Sequence, residues 1–265
     1  MAEFINTIDA LGDDAVVDSI IQRTITEIKD DCINEIGDYA FSGCNELTHL
    51  EFPEATIMGR YAFNGVSNAE TIIIPKASTF GDSFSFTGLK KLRTIQLPEN
   101  FSILNSSHLF SGCESLERID LPSLDNIGQY CFRGCKLLRE VNVPSALFIN
   151  IQSFDSCVEL VTIDLPSCEE IRGFRQFQNA TKFKALVLRR TDKVCTLNLS
   201  NTFLNTPIES GAGYIYVPKA LLSDDDETKD YRRATNWSTY GTQFRALEDY
   251  TVDGTITGAL DKTKI

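Results

Sequence analysis

A chain of 265 residues with 42% apolar side chains carries enough material for a sizeable core, so global disorder is excluded. Its 25 basic and 37 acidic side chains leave a net charge of −12, a surface that repels phosphate backbones and makes nucleic acid an unsuitable partner. No apolar run reaches the roughly 18 to 20 residues of a membrane span.

In chain order, the opening MAEFINTIDALGDDAVVD has no basic start followed by an apolar stretch. No signal peptide is visible there, and synthesis in a cytosol is the expectation. Residues 13–23 (DDAVVDSIIQR) predict a short helix whose first turn holds acids, where they suit the helix dipole. Ile25, Ile28 and Ile36 then occupy the apolar positions of half a repeat, so residues 1–35 read as an N-terminal helical cap and half repeat.

Residues 36–218 are periodic. Phe41, Phe63, Phe86, Phe110, Phe132 and Phe154 are each followed, twelve residues on, by Pro53, Pro75, Pro98, Pro122, Pro144 and Pro166. A seventh copy starts at Phe177 with Arg189 in the proline position, and an eighth at Phe203 is stretched before Pro218. Successive phenylalanines lie 22 to 26 residues apart, the length of one solenoid coil. Nine and eleven residues after each phenylalanine stand apolar residues such as Ile72 and Ile74, or Ile119 and Leu121. That apolar-x-apolar spacing predicts a short strand, which proline then stops because it lacks an N–H. One such unit cannot bury its single apolar face, so copies stack. The expected architecture is a right-handed, mainly β solenoid of about seven coils with a parallel sheet along one side and short helical caps at both ends.

Residues 219–265 form the C-terminal helical cap and tail. Tyr231, Ala234, Trp237, Tyr240, Phe244 and Leu247 recur at spacings of three or four, which predicts a helix, with Ser223 and the acids 224–227 as its start. Asp253-Gly254 marks a turn in the tail and suggests a small hairpin.

The segments FSGCNELTHLEFP, FSGCESLERIDLP and FDSCVELVTIDLP share F-x-G/S-C-x-x-L-x-x-I/L-x-L/F-P. This motif resembles the BspA-like class of leucine-rich repeats across residues 25 to 218. Val66, Leu89 and Ala180 depart from its cysteine, and the seventh copy also lacks the glycine and proline. The resemblance implies a leucine-rich-repeat solenoid and a surface adhesion or recognition role without catalysis. The end segments IDALGDDAVVDSIIQRTITEI and YIYVP, RRATNWSTY and DGTITGALDKTKI are similar to those of minor structural proteins of phages and prophages of gut bacteria, which implies a virion setting.

Reactive side chains form no recognisable site. Cys44, Cys113, Cys135 and Cys157 stand three residues after the repeat phenylalanine, in a column that also accepts valine, leucine and alanine. They are expected to pack as small hydrophobes in the reduced state. No C-x-x-C pair offers a zinc site, and His49 and His108 have no partner histidine. Gly211-Ala212-Gly213 is too short for a phosphate loop, and the acids 224–227 lack the alternating spacing of a calcium loop. Asp120 and Asp164 share a column two coils apart, near the separation of glycosidase carboxylates, but on an open sheet. No catalysis, cofactor or metal is expected.

The positions flanking the inward strand residues face outward and vary in charge and size. They are His49, Thr71, Thr94, Arg118, Glu140, Thr162 and Ala185 in one column, and Glu51, Ile73, Gln96, Asp120, Asn142, Asp164 and Val187 in the other. Varied side chains on a rigid ladder are how a solenoid builds a contact face. The expectation is a binding protein at the virion or cell exterior. Its partner would be a protein or glycan on a host cell surface, or another virion protein. A bacterial cell-surface adhesin is the alternative.

Overall fold

Each proline-terminated triplet forms a strand, and each strand lies beside the same triplet of the next coil. A computed structural model of the protein describes residues 25–81, 85–103, 107–222 and 229–250. The front strands are β1 (Glu27–Lys29), β3 (His49–Glu51), β5 (Thr71–Ile73), β7 (Thr94–Gln96), β8 (Arg118–Asp120), β10 (Glu140–Asn142), β12 (Thr162–Leu165), β14 (Ala185–Leu188), β16 (Tyr214–Val217) and β17 (Phe244–Ala246). Shorter strands line a second side: β2 (Glu35–Ile36), β4 (Ile57–Met58), β6 (Thr79–Phe80), β9 (Asn126–Ile127), β11 (Phe148–Ile149), β13 (Glu170–Ile171) and β15 (Thr196–Leu197). Every pairing is parallel and keeps the repeat in register, as in Leu50 beside Ile28 and Ile72.

Phenylalanine rings fill the third side. Among the described residues, eight repeat phenylalanines from Phe41 to Phe203 are buried. Neighbouring rings stack at centroid distances of 5.2 to 5.9 Å. Full burial of one such ring contributes on the order of 1.5–3 kcal/mol. The backbone around the rings carries its own coil-to-coil ladder, for example Phe41 N–H to the Ala62 carbonyl (2.9 Å) and Gly43 N–H to the Asn64 carbonyl (2.9 Å). This turn needs a left-handed residue two positions after phenylalanine. Gly43, Gly65, Gly88, Gly112 and Gly134 supply it at φ of 74 to 77°, and Ser156, Asn179 and Asn205 supply it at 60 to 62° in later coils.

The front ladder is not continuous. It stops between β7 and β8, and again between β10 and β12. The first break follows the coil that starts at Phe86, 24 residues long where its neighbours have 23 and 22. Ile95 and Leu97, inward residues of this coil, are only partly buried. The phenylalanine side stays joined there: Phe86 stacks on Phe110 at 5.2 Å, and Phe86 N–H reaches the Leu109 carbonyl at 2.7 Å.

The C-terminal cap corrects the helical expectation. Residues 231–247 are not one helix but short 3-10 turns, Trp237–Gln243 and Leu247–Asp249, around strand β17, which pairs with β16. Asn236 sits in the left-handed region at φ 63°, and the segment ATNWSTYGT is rich in Thr, Asn and Gly, all poor helix formers. The three-to-four spacing of its aromatics arises instead from turns that fold Tyr231, Trp237 and Tyr240 under the last coil, where they are buried. Trp237 and Tyr240 close the ring stack by contacting Phe203 at 6.4 and 5.0 Å. The helix expected over 13–23, the start at Ser223 and the hairpin at Asp253-Gly254 lie outside the described residues.

Candidate recognition face

Because β-strand side chains alternate, the burial of Leu50, Ile72, Ile119 and Ile163 fixes their flanking residues on the outer face. Thr94, Gln96, Arg118 and Asp120, on β7 and β8, are exposed. His49, Glu51, Thr71, Ile73, Glu140, Asn142, Thr162 and Asp164 are half-buried.

In-register stacking places like columns side by side, so equal charges on neighbouring strands would repel. The face avoids this by pairing across coils. Lys29 Nζ reaches Glu51 at 2.6 Å, and His49 Nε2 lies 3.4 Å from the same carboxylate. The Lys29 ammonium, then His49, hold the Glu51 carboxyl below its usual range. Arg118 Nη2 meets Glu140 at 2.8 Å, and Asn142 Nδ2 donates to Asp120 at 2.7 Å. Asp164 is clamped by Arg189, whose Nε and Nη2 lie 2.7 to 2.9 Å from its oxygens. Arg189 stands where proline ends the other strands, so the departure from the repeat supplies this clamp. Asp120 and Asp164 thus each have a partner on a neighbouring coil. The Thr162 hydroxyl is buried without a hydrogen-bond partner.

Val187 corrects the expected face. It is wholly buried, and Ala185 beside it nearly so, rather than presented to a ligand. The cause is the next strand: Tyr214 pairs beside Ala185 and Tyr216 beside Val187. The Arg189–Asp164 pair flanks Val187 from the other direction. Apolar side chains there are covered, not solvated.

Tyr214, Tyr216 and Arg245 continue the outer columns and were missed by the sequence reading. Tyr214 is 37% exposed, and the Arg245 guanidinium lies 4.2 Å over its ring. Tyr216 packs against Tyr250 at 4.6 Å. The legible signal was YIYVP, the repeat's x-apolar-x-apolar-proline string, hidden by the insertion that shifts it away from Phe203. Tyr and Arg are the side chains most often dominant at protein contacts.

Among the described residues, one group, Asp30, Asp31 and Cys32, brings three potential metal-ligand atoms within 4.8 Å of one another. Asp30 Oδ1 already accepts the N–H groups of Cys32 (2.7 Å) and Ile33 (3.0 Å), which makes it a turn-forming carboxylate. No described helix is long and apolar enough to cross a membrane. What this surface offers chemically is a fixed array of hydrogen-bonding and charged groups.

A family profile described as BspA type leucine rich repeat region (6 copies) matches residues 20–123 and 106–212. No curated protein matches the chain. A leucine-rich repeat protein from Bacteroides ovatus is 22% identical, with a TM-score of 0.50 over 74% of this chain and 56% of its own. A leucine rich cell surface protein from Faecalibacterium prausnitzii is 19% identical, with a TM-score of 0.41 over 72% of this chain and 58% of its own. The chain thus spans little more than half the length of either structure.

Proposed function

The chain belongs to the BspA-type leucine-rich repeat family, and from that premise we propose that it is a non-catalytic recognition protein whose outer strand columns contact the ligand. The observation that carries this reading is the group Thr94, Gln96, Arg118 and Asp120, four chemically different and exposed side chains on adjacent strands of a rigid scaffold. Rigid presentation lowers the entropy lost on binding. The net charge of −12 favours a neutral or basic partner over an acidic one.

For the setting, the resemblance of the end segments supports a phage or prophage minor structural protein that contacts a host-surface protein or glycan, or another virion protein. A cell-surface adhesin is the second reading, favoured by the repeat family itself.

Purified protein is to be screened against host envelope fractions and the positive fraction retested with Gln96→Ala, Arg118→Ala and Asp120→Ala. The expected result is a tenfold or greater loss of affinity in at least one variant, with stability moving by less than about 0.5 kcal/mol. Undiminished binding in all three variants removes the strand face as the site. Mass spectrometry of purified virions, set against surface proteolysis of intact cells, separates the two settings.

A further inference from the structure

Seven thiols are buried, and five of them fall into two kinds by what their sulfur meets. Cys113, Cys135 and Cys157 each donate to the carbonyl of the preceding coil's repeat phenylalanine, Phe86 (3.2 Å), Phe110 (3.1 Å) and Phe132 (3.0 Å). Their sulfurs point along one column and are engaged with the backbone. Cys168 and Cys195 lie on adjacent coils, and their sulfurs meet at 3.6 Å. Cys168 belongs to a column of small or aliphatic residues fourteen after the phenylalanine, with Ala55, Ala77, Leu124 and Ala146. Its neighbour on the next rung is the only other sulfur that column meets among the described residues.

We propose that Cys168 and Cys195 are the site of a reversible disulfide, formed by exchange with a low-molecular-weight disulfide of the glutathione class. The two sulfurs need to close from 3.6 Å to the bonded distance of about 2.05 Å. Neighbouring strands hold the backbones at ladder spacing, since Glu170 pairs with Thr196 just beyond the two cysteines. The chain before Cys195 belongs to no strand and is held by side-chain ion pairs, Arg189–Asp164, Arg190–Asp192 and Lys193–Glu169, so opening it breaks such pairs and no sheet ladder. Local opening of this loop admits the reagent. On its other side Cys195 is tied to the closing segment: its N–H donates to the Tyr231 hydroxyl (2.8 Å), and Trp237 Nε1 donates to its carbonyl (2.6 Å).

The chemistry balances in two exchanges. The Cys195 thiolate attacks one sulfur of the small disulfide, the S–S bond breaks, and one small thiolate leaves. The Cys168 thiolate then attacks Cys195 in the mixed disulfide, forms the internal bond and expels the second small thiolate. The protein loses two electrons and two protons, and the reagent becomes two thiols. The thiol contact with Cys168, together with burial, pushes the Cys195 thiol up, so exchange quickens as pH rises. The product joins two coils across 27 residues and anchors the rung to which Tyr231 and Trp237 are bonded.

The test exposes the full chain to oxidised glutathione at pH 8.5 and compares it with the reduced protein. Expected are a loss of two hydrogens in intact mass, a Cys168–Cys195 cross-linked peptide after digestion, and an apparent Tm higher by about 5 °C. Dithiothreitol should reverse all three. Cys168→Ser and, separately, Cys195→Ala should abolish the mass loss, whereas Cys113→Ala should leave it unchanged. An unchanged mass after prolonged oxidation, or a cross-link that maps to other cysteines, overturns the proposal. This outcome is independent of whether the strand face binds a ligand.

Discussion

A thiol in a column shared with Val66, Leu89 and Ala180 acts as packing, and its chemistry shows only through its proton. Burial pushes the Cys113 thiol from 9.0 up to about 12. Between those values the unfolded chain ionises this thiol and the folded chain does not, so the unfolded state binds fewer protons. Its stabilising contribution is complete below about pH 9 and is lost as pH rises toward about 12. Cys131 and Cys157, also wholly buried, shift in the same direction. The unfolding free energy from urea titrations should therefore fall steadily above pH 9, by up to about 1.4 kcal/mol per pH unit for each such thiol. In Cys113→Val the decline should be shallower; an equal slope would assign it to other groups. Single residues also show where sequence periodicity misleads. Val187 occupies an outward position by count, yet neighbours on the next coil cover it, and no local pattern records that cover.

The front strands from β3 to β12 were legible because each is written three times over, by phenylalanine, by the inward pair and by proline, whereas the two-residue strands of the second side carry no such signal and were not expected. The closing element lacks all three signals. Strand β17 has no proline and no repeat phenylalanine before it, and its sequence FRA shows one inward residue, Phe244. Tertiary packing under Phe203 decides its form, which a helical spacing of aromatics could not reveal. That packing is strong. Trp237→Ala should cost about 3–5 kcal/mol in chemical denaturation, because it empties a fully buried site and deletes the indole donor to the Cys195 carbonyl. A cost below about 1 kcal/mol would mean the cap contributes little to the solenoid. Ladder integrity makes a second expectation at this scale. Ile74 N–H is bonded to the Gln96 carbonyl at 2.9 Å, whereas Ile95 and Leu97 face the break between β7 and β8. In native-state hydrogen exchange, the Ile95 and Leu97 amides should exchange at least tenfold faster than those of Ile72 and Ile74. Equal protection would show that the ladder closes in solution.

At the scale of the molecule, repetition gave the parallel order and about seven coils, where the structure stacks eight repeat phenylalanines, while the break in the front ladder after the 24-residue coil from Phe86 is an irregularity the repeat does not announce. Exposed ion pairs such as Lys76–Glu54, Lys136–Glu114 and Lys182–Glu159 run between coils on the flanks and, being exposed, add little each. Cohesion therefore rests on the ring stack and the three backbone ladders. Between β7 and β8 the front ladder is interrupted while the rings of Phe86 and Phe110 stay stacked at 5.2 Å. The spacing of Gln96 and Asp120 is therefore set from behind, through the core, rather than by a ladder between their own strands. A change at either ring is felt on the contact face, at a distance from every side chain proposed to meet the ligand.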